Sequence, residues 1–429
     1  MALKALATAA QVQSILRTNS IMVEVDGSIR RITLDKLIDS INSGDTSLLR
    51  SVAWGVPIKQ ASQSSPAWGR VGNLDMWALF KSQCGRYLVK NNGHAAKLSV
   101  SNSGVYADGT ALDESIGHVL WVAPDLYYRV ITDAITNEPI LWMSLIPIGG
   151  KVIKSKKVGA YLGSMAGTAL TSRSGKTVAA SKTINAFWNA AQVNGAQWGL
   201  EDYEFRKLLI MIGLSEYGNP NIQACLGNGV GGDSGVTWDS RVTGLLTGAT
   251  KGNGDAFAAN PITVEGGSHC NRVSVLGVED PYQWYWEMIQ GIFFGNSENS
   301  GQAGTEVFLY EGNRMPSSAE LASHPSGDYR QLTRLTTSGY VSRMTLGDFF
   351  DVIASQLGAG STDHWCDYFY GNNTGQLCLW GASAEYGAYA GLGYADSLRA
   401  WSNSHSSLGS RLAYYGELTV MSGAQLVAE

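Results

Sequence analysis

The sequence contains no lysine after Lys251, although the chain continues to residue 429. Only seven arginines stand against 18 acidic residues in that part, so it is strongly acidic. Binding to a phosphate backbone requires the opposite charge balance, and no nucleic-acid partner is expected there. Four lysines fall between residues 151 and 157, but no aromatic residues are interleaved with them. This group therefore predicts a solvated loop rather than a nucleic-acid site.

Long apolar runs and cysteine pairs are missing as well. No segment approaches the ~20 apolar residues of a membrane helix, so no membrane insertion is expected. The first residues lack a long apolar core, which argues against a signal peptide. The cysteines are far apart, without a Cys-x-x-Cys motif, and they predict buried, reduced thiols in a protein assembled in a cytoplasm. They are Cys84, Cys225, Cys270, Cys366 and Cys378.

Glycine and tryptophan are abundant, with 51 and 13 residues respectively. Many glycines indicate many special turns, which favours a β-rich or irregular architecture over a helical bundle. The chain of 429 residues is long enough for two or three domains with a large buried core.

Residues 1–50 are predicted to form a small attachment module. Residues 21–32 alternate around Asp26-Gly27, a strong hairpin signal, and Thr33 is placed to cap a short helix. One face of that helix would carry Leu34, Leu37, Ile38 and Ile41. A hairpin with one helix buries little surface alone, so we expect it to dock on another subunit or protein. The alternative is a merely appended subdomain. Residues 51–70 are predicted to be a connector.

Residues 71–429 are predicted to form one domain of the α+β class. Short strands alternate with turns such as Asn92-Gly93 and Asp108-Gly109. Amphipathic spacing predicts two helices, over residues 183–196 and 200–214. We expect these helices to pack on twisted antiparallel strands in a loop-rich fold.

Residues 379–412 interleave two kinds of position, and we call them the display region. The first kind is typical of a scaffold, and Trp380, Leu392, Leu408 and Leu412 are predicted to be buried. The second kind is polar or aromatic, as in antibody binding loops, and is predicted to be mostly exposed on one face. These candidate ligand-binding residues are Ser383, Glu385, Tyr386, Tyr389, Tyr394, Asp396, Leu398, Arg399, Trp401, Asn403, His405 and Ser407.

The display region resembles the variable region of target proteins of diversity-generating retroelements. The matching segments are Leu379-Trp380-Gly381, Gly387-Ala388, Ala390-Gly391, Ser402-Asn403-Ser404 and Leu408-Gly409-Ser410-Arg411-Leu412. A second segment, residues 277–287, resembles the Gly-x-Glu-Asp-Pro-x-Gly-x-x-Trp-Glu motif of formylglycine-generating proteins, with Gln283 where that family usually has Gly. Both resemblances imply a C-type-lectin-like domain, in which Trp284, Trp286 and Met288 fill the core beneath the display surface.

The retroelement resemblance also implies a function. Such proteins include receptor-binding proteins of phage tail fibres, which are made in the host cytoplasm and located in the virion. The display region would then bind a host cell-surface protein or glycan. Residues 1–50 would contact other phage tail or baseplate proteins, and the assembly would be a homotrimer. A bacterial surface adhesin or display protein of the same fold is the alternative.

An enzyme of the formylglycine-generating type is a third hypothesis. That activity requires a closely spaced reactive cysteine pair, which Cys366 and Cys378 do not form. Glu385 and Asp396 could in principle serve as two glycosidase carboxylates, although chance placement in a display loop accounts for them. We therefore expect that the protein is not an enzyme.

Asp363, His364 and Asp367 form one further group of residue types that can bind zinc or calcium. Its members lie close together, but no calcium motif of sugar-binding lectins occurs in the final region. His405 has no partner at ligand spacing and is expected to be a contact residue. Glu216 is expected to satisfy buried backbone donors. The sequence therefore predicts no metal and no cofactor.

Overall fold

The computed structural model describes residues 20–25, 28–43, 46–59, 67–133, 137 and 139–429. The α-helices of these ranges are Leu34–Asn42, Leu49–Val52, Leu74–Gln83, Ile184–Gln192, Tyr203–Tyr217, Ile222–Leu226, Ser240–Thr243, Ser318–Ala322 and Gly423–Ala428. Three 3-10 turns are Glu114–Ile116, Lys251–Asn253 and Ala384–Tyr389. In the described part of the chain, none of the helices has both the length and the apolar character required to cross a membrane.

Two seven-stranded sheets dominate the fold. Sheet A has the spatial order Trp198–Leu200, Leu412–Tyr414, Lys156–Gly159, His118–Ala123, Gly85–Val89, His94–Lys97 and Thr419–Val420. Sheet B has the order Ile353–Leu357, Gly339–Thr345, Tyr368–Tyr370, Ala395–Arg399, Leu377–Trp380, Trp286–Met288 and Leu408–Gly409. The chain passes from sheet B to sheet A at residues 410–411, inside the display region.

Smaller sheets complete the architecture. A five-stranded sheet has the order Lys151–Ile153, Leu126–Thr132, Pro139–Ser144, Trp54–Pro57 and Val71–Gly72. Two three-stranded sheets are Ala258–Pro261, Asn271–Val275 and Val278–Glu279, and Ile292–Phe294, Glu306–Leu309 and Arg330–Thr333. Two hairpins are Ser20–Val25 with Ser28–Thr33, and Ser164–Ala166 with Ala169–Thr171. Most of these strand pairs are antiparallel, including all those of the five-stranded sheet.

The two helices predicted from amphipathic spacing are present as Ile184–Gln192 and Tyr203–Tyr217. Each starts at a side-chain cap, because Thr183 Oγ1 accepts from the Ala186 amide and Asp202 Oδ1 accepts from the Phe205 amide. The second helix is buried on nearly every side from residue 203 to residue 215. It therefore lies in the centre of the apolar core rather than on its surface.

The helix Leu74–Gln83 was not predicted, since the sequence beyond Trp68 reads as β-like. It begins at Asn73, whose side chain accepts from the Asp75 amide. Its rings pack inward, with the Trp77 ring 5.6 Å from Trp54 between centroids. Burial of four apolar side chains on this short helix outweighs the weak periodicity of its sequence.

The N-terminal hairpin and the helix capped by Thr33 are confirmed, while the Asp26-Gly27 turn lies outside the described residues. Leu34, Leu37 and Ile41 are buried in the same apolar cluster that contains Leu426. The expected connector over residues 51–70 is wrong for Trp54–Pro57, which pairs with both Pro139–Ser144 and Val71–Gly72. This strand is fully buried, and Leu34, Leu37 and Leu49 belong to the same apolar cluster, so residues 34–43 and 46–59 contribute to the main core.

Candidate ligand-binding face

The display region is built on a buried frame in sheet B. The strand Leu377–Trp380 pairs with Ala395–Arg399 on one side and with Trp286–Met288 on the other. Trp380, Leu392, Leu408 and Leu412 are all buried, as the sequence predicts. The Trp380 indole also donates a hydrogen bond to the Leu392 carbonyl, which fixes the loop between the two strands.

Four buried charges join this frame to the preceding motif. Arg411 Nε lies 2.6 Å from Glu287 Oε2, and Arg206 Nη2 lies 2.6 Å from the same oxygen and 2.9 Å from Glu201 Oε1. Although burial opposes it, Arg206 and Arg411 lower the pKa of Glu287 to about 2. These four residues, which we call the charge cluster, tie the crossing between the two large sheets to Trp286–Met288 and to the central helix.

The motif over residues 277–287 supports the display region from below. Trp284, Trp286 and Met288 are buried, as expected. Gln283 has a φ of 57°, in the left-handed region that glycine adopts most readily. Its Nε2 donates to the Gly232 carbonyl at 2.6 Å and to the Gly387 carbonyl at 2.9 Å. The side chain that replaces glycine here therefore holds the Ala384–Tyr389 turn in place.

Tyrosine rings from three parts of the chain converge beside this turn. Ring centroids of Tyr340, Tyr368 and Tyr389 lie 4.8 to 5.4 Å apart in all three pairs. Tyr370 contacts Tyr368 at 5.8 Å, and Tyr386 packs edge-on against Trp286 at 5.0 Å. Tyr389 is 45% exposed and the other four tyrosines are partly exposed. We call Tyr340, Tyr368, Tyr370, Tyr386 and Tyr389 the tyrosine face.

The candidate ligand-binding residues divide into three groups. Those that are exposed are Glu385, Tyr389, Arg399 and His405. Those that are partly buried are Tyr386, Leu398 and Asn403. The remainder are buried, which corrects the expectation of exposure for Ser383, Tyr394, Asp396, Trp401 and Ser407.

The buried positions have identifiable structural roles. Tyr394 lies 4.9 Å from the Trp286 ring, beneath Tyr386, and Trp401 packs near Phe293 and donates to Asn185 Oδ1 at 3.2 Å. Asp396 lies on a strand with neighbours on both sides, and its Oδ1 accepts from the Leu398 amide. These five side chains are packed into the scaffold and offer a ligand little surface.

Sequence reasoning missed Tyr340, Tyr368 and Tyr370 as candidate site residues. A signal was available in the alternation Tyr368-Phe369-Tyr370, since residues two apart in a strand share a face. Phe369 is buried on the opposite face, in the core. The sequence did not indicate that this strand lies beside residues 384–389.

Four of the five cysteines are buried, as is Asp367 of the candidate metal group. Cys366 and Cys378 are buried free thiols, and burial raises the pKa of both. Cys225 is exposed, contrary to the expectation that all five thiols are buried. Within the described ranges, no group of three or more His, Cys, Asp or Glu side chains is placed to hold a metal ion. Asp367 is buried and accepts from the Gly393 amide at 2.8 Å.

Two further expectations need correction. Glu216 does not serve backbone donors, because its Oε2 accepts from Trp77 Nε1 and from Lys81 Nζ, each at 2.8 Å. The lysines of residues 151–157 lie largely on two strands rather than in a loop. Lys154 pairs with Asp125 at 3.0 Å and Lys156 with Asp202 at 2.6 Å. Two of these four lysines are therefore paired locally with a carboxylate.

No protein-family model matches the chain, and no curated protein matches it.

Proposed function

We propose that the chain is a receptor-binding protein of a phage tail fibre or tail tip, with a C-type-lectin-like domain. Residues 379–412, joined by the strand residues of the tyrosine face, attach to a protein or glycan of the host surface. The support from sequence is the resemblance at Leu379-Trp380-Gly381 and at residues 408–412 to retroelement-diversified regions. The residues before 51 contact other tail or baseplate proteins, and the particle carries the protein as a homotrimer.

The observation that carries this proposal is the tyrosine face. Partly exposed aromatic rings in contact with one another are an aggregation liability unless they serve a binding partner. Tyrosine provides a large contact area with a polar hydroxyl, at a low cost in side-chain entropy. Glu385 and Arg399 are exposed in the same region and provide charges of both signs. Such a set suits a polar ligand with apolar patches, as host proteins and glycans present.

The buried frame suits a surface whose exposed residues vary. A substitution at an exposed position usually changes stability by less than about 0.5 kcal/mol, whereas changes in a core cost far more. Tyr389 and His405 can be replaced without opening the apolar core, because neither is buried. The proposal therefore confines retroelement variation to the exposed subset of the display region. The DNA sequence around the gene tests this directly. Diversification by a retroelement predicts a nearby template repeat that is nearly identical to the segment coding for the display region and differs from it only opposite template adenines.

The attachment experiment adds labelled full-length protein to a panel of bacterial strains. The strains to which the wild-type protein attaches are then used to compare the variants. The Tyr386→Ala, Tyr389→Ala double variant is expected to lose attachment with little change in melting temperature. A double variant at two partly buried tyrosines outside the face, Tyr87→Ala with Tyr127→Ala, is the matched control and should still attach. Normal attachment by the first double variant would reject the tyrosine face as the receptor site.

A further inference from the structure

A glycine-rich loop outside the display region packs directly against the Ala384–Tyr389 turn. Residues 227–235, which we call the glycine loop, contain five glycines in nine positions. A Cβ atom at Gly231 would clash with the Ala384 carbonyl oxygen, and the Val236 amide donates a hydrogen bond to that oxygen at 3.1 Å. The loop and the turn therefore meet backbone to backbone, an approach that a side chain at Gly231 would prevent.

Gln283 joins these two segments. Its Nε2 donates to the Gly232 carbonyl in the loop at 2.6 Å and to the Gly387 carbonyl in the turn at 2.9 Å. Its main-chain oxygen accepts from the Val230 and Gly231 amides, at 3.1 and 3.3 Å. The residue has no exposed surface, so bulk water does not compete for these hydrogen bonds. One buried residue therefore fixes the position of the turn relative to the loop.

Glutamine carries two local costs at this position. Its φ of 57° lies in a region that glycine adopts with less strain. Its Oε1 is buried and accepts no hydrogen bond in the described structure, which is also unfavourable. Glycine would avoid both costs. What the glutamine side chain adds is the bridge to the turn, and the turn carries the exposed Glu385 and Tyr389.

The bridge acts at the most flexible point of the turn. Gly387 has a φ of 49° and a ψ of −129°, which interrupts the helical geometry between Ala384 and Tyr389. Because glycine has more backbone freedom than any other residue, this is where the turn would change shape most easily. The carbonyl that Gln283 binds belongs to this glycine. The hydrogen bond therefore restrains the kink from outside the display region.

We propose that Gln283 is a positioning residue of the ligand-binding face, which sets the backbone of the Ala384–Tyr389 turn before a ligand binds. Since the restraint comes from outside the turn, exposed Glu385 and Ala388 can be replaced without altering its backbone. Preorganisation of this kind strengthens binding, because less conformational entropy is lost when the complex forms. The effect on attachment rests on the proposed function, whereas the effect on the turn does not.

Hydrogen–deuterium exchange of the full-length protein, read by mass spectrometry, tests the restraint. Gln283→Met keeps the length of the side chain but cannot donate to a carbonyl. Peptides covering residues 382–390 should exchange about tenfold faster in this variant, as expected for the loss of two hydrogen bonds. Glu385→Ala should leave their exchange unchanged. Gln290→Met is the matched control, because Gln290 is equally buried but its Nε2 donates to the Gly312 carbonyl. Unchanged exchange in Gln283→Met, or an equal increase along the whole chain, would overturn the proposal.

A second pair of variants tests the backbone contact without altering Gln283. Gly231→Ala places a Cβ atom against the Ala384 carbonyl and should also speed exchange over residues 382–390. Gly252→Ala is its control, since no atom of the described residues lies within 4 Å of a Cβ atom at that position. Equal exchange in the two glycine variants would show that the glycine loop does not hold the turn, and would reject the proposal.

Attachment to the strains that the wild type recognises separates this inference from the proposed function. Gln283→Met should attach about tenfold more weakly, and Gln290→Met should attach normally. A Gln283→Met variant with faster exchange in the turn but normal attachment would refute positioning for the ligand and leave the proposed function standing. Normal attachment by the Tyr386→Ala, Tyr389→Ala variant would instead reject the receptor site, and the exchange result would then decide alone whether Gln283 positions the turn.

Discussion

Replacing Arg411 with methionine removes one member of the charge cluster while keeping most of the side-chain volume. The guanidinium donates to Glu287 Oε2 at 2.6 Å and to Oε1 at 3.1 Å. It also donates to the carbonyls of Glu279 and Asp280, at 2.6 and 3.0 Å. Methionine can replace none of these hydrogen bonds. The variant therefore leaves buried acceptors without donors at the crossing between the two large sheets.

The expected loss is about 3–5 kcal/mol, the range for removing one partner of a buried ion pair. A plain sum over the hydrogen bonds of Arg411, which also donates from Nη1 to the Gly159 and Ala160 carbonyls, would be higher, at about 1.5–3 kcal/mol for each bond to a charged group. Arg206 remains 2.6 Å from Glu287 and compensates its charge in part, so the lower range applies. The pKa of Glu287, now held at about 2 by Arg206 and Arg411 against the effect of burial, should rise in the variant.

Denaturant unfolding of the wild type, Arg411→Met, Glu287→Gln and the double variant measures this coupling. The double variant should be less destabilised than the sum of the single variants, by about 0.5–3 kcal/mol. Arg399→Met is the control, because Arg399 is exposed in the same region and should change stability by less than about 0.5 kcal/mol. A loss below about 1 kcal/mol for Arg411→Met, or strict additivity, would refute the role of the charge cluster.

Three further predictions concern stability. Burial raises the pKa of Asp396 from 3.8 to about 6, so the folded state retains a proton that the unfolded state loses, and stability falls as pH rises from about 4 to 6. Asp396→Asn should therefore raise the free energy of unfolding at pH 7 by up to about 3 kcal/mol, and it should flatten this pH dependence in thermal melts. An unaltered pH profile would contradict the raised pKa of Asp396. Leu37 and Leu49 are fully buried, so deletion of residues 1–50 should impair folding of the rest of the chain. Leu37→Ala should cost about 2–5 kcal/mol in the same unfolding assay, whereas the exposed Lys36→Ala on the same helix should be nearly neutral; equal effects would contradict burial.

Local signals in the sequence determined several elements correctly. Thr33 caps a helix whose apolar face is buried, and the spacing of apolar residues located Ile184–Gln192 and Tyr203–Tyr217. The burial of Trp380 also followed from the pattern of the display region. Caps, helix periodicity and large apolar side chains act over a few residues, so the sequence alone specifies them.

The tertiary structure decided which residues share a surface. Tyr340 and Tyr389 are 49 positions apart in the chain, yet their rings are 5.4 Å apart because the turn Ala384–Tyr389 lies beside the strand Gly339–Thr345 of sheet B. Strand pairing on both sides also buries Asp396, although its polar side chain led to a prediction of exposure from the sequence. Trp54–Pro57 became a central strand in the same way, through pairing with Pro139–Ser144. Such pairings depend on contacts between distant segments, and a one-dimensional pattern of polar and apolar residues does not specify them.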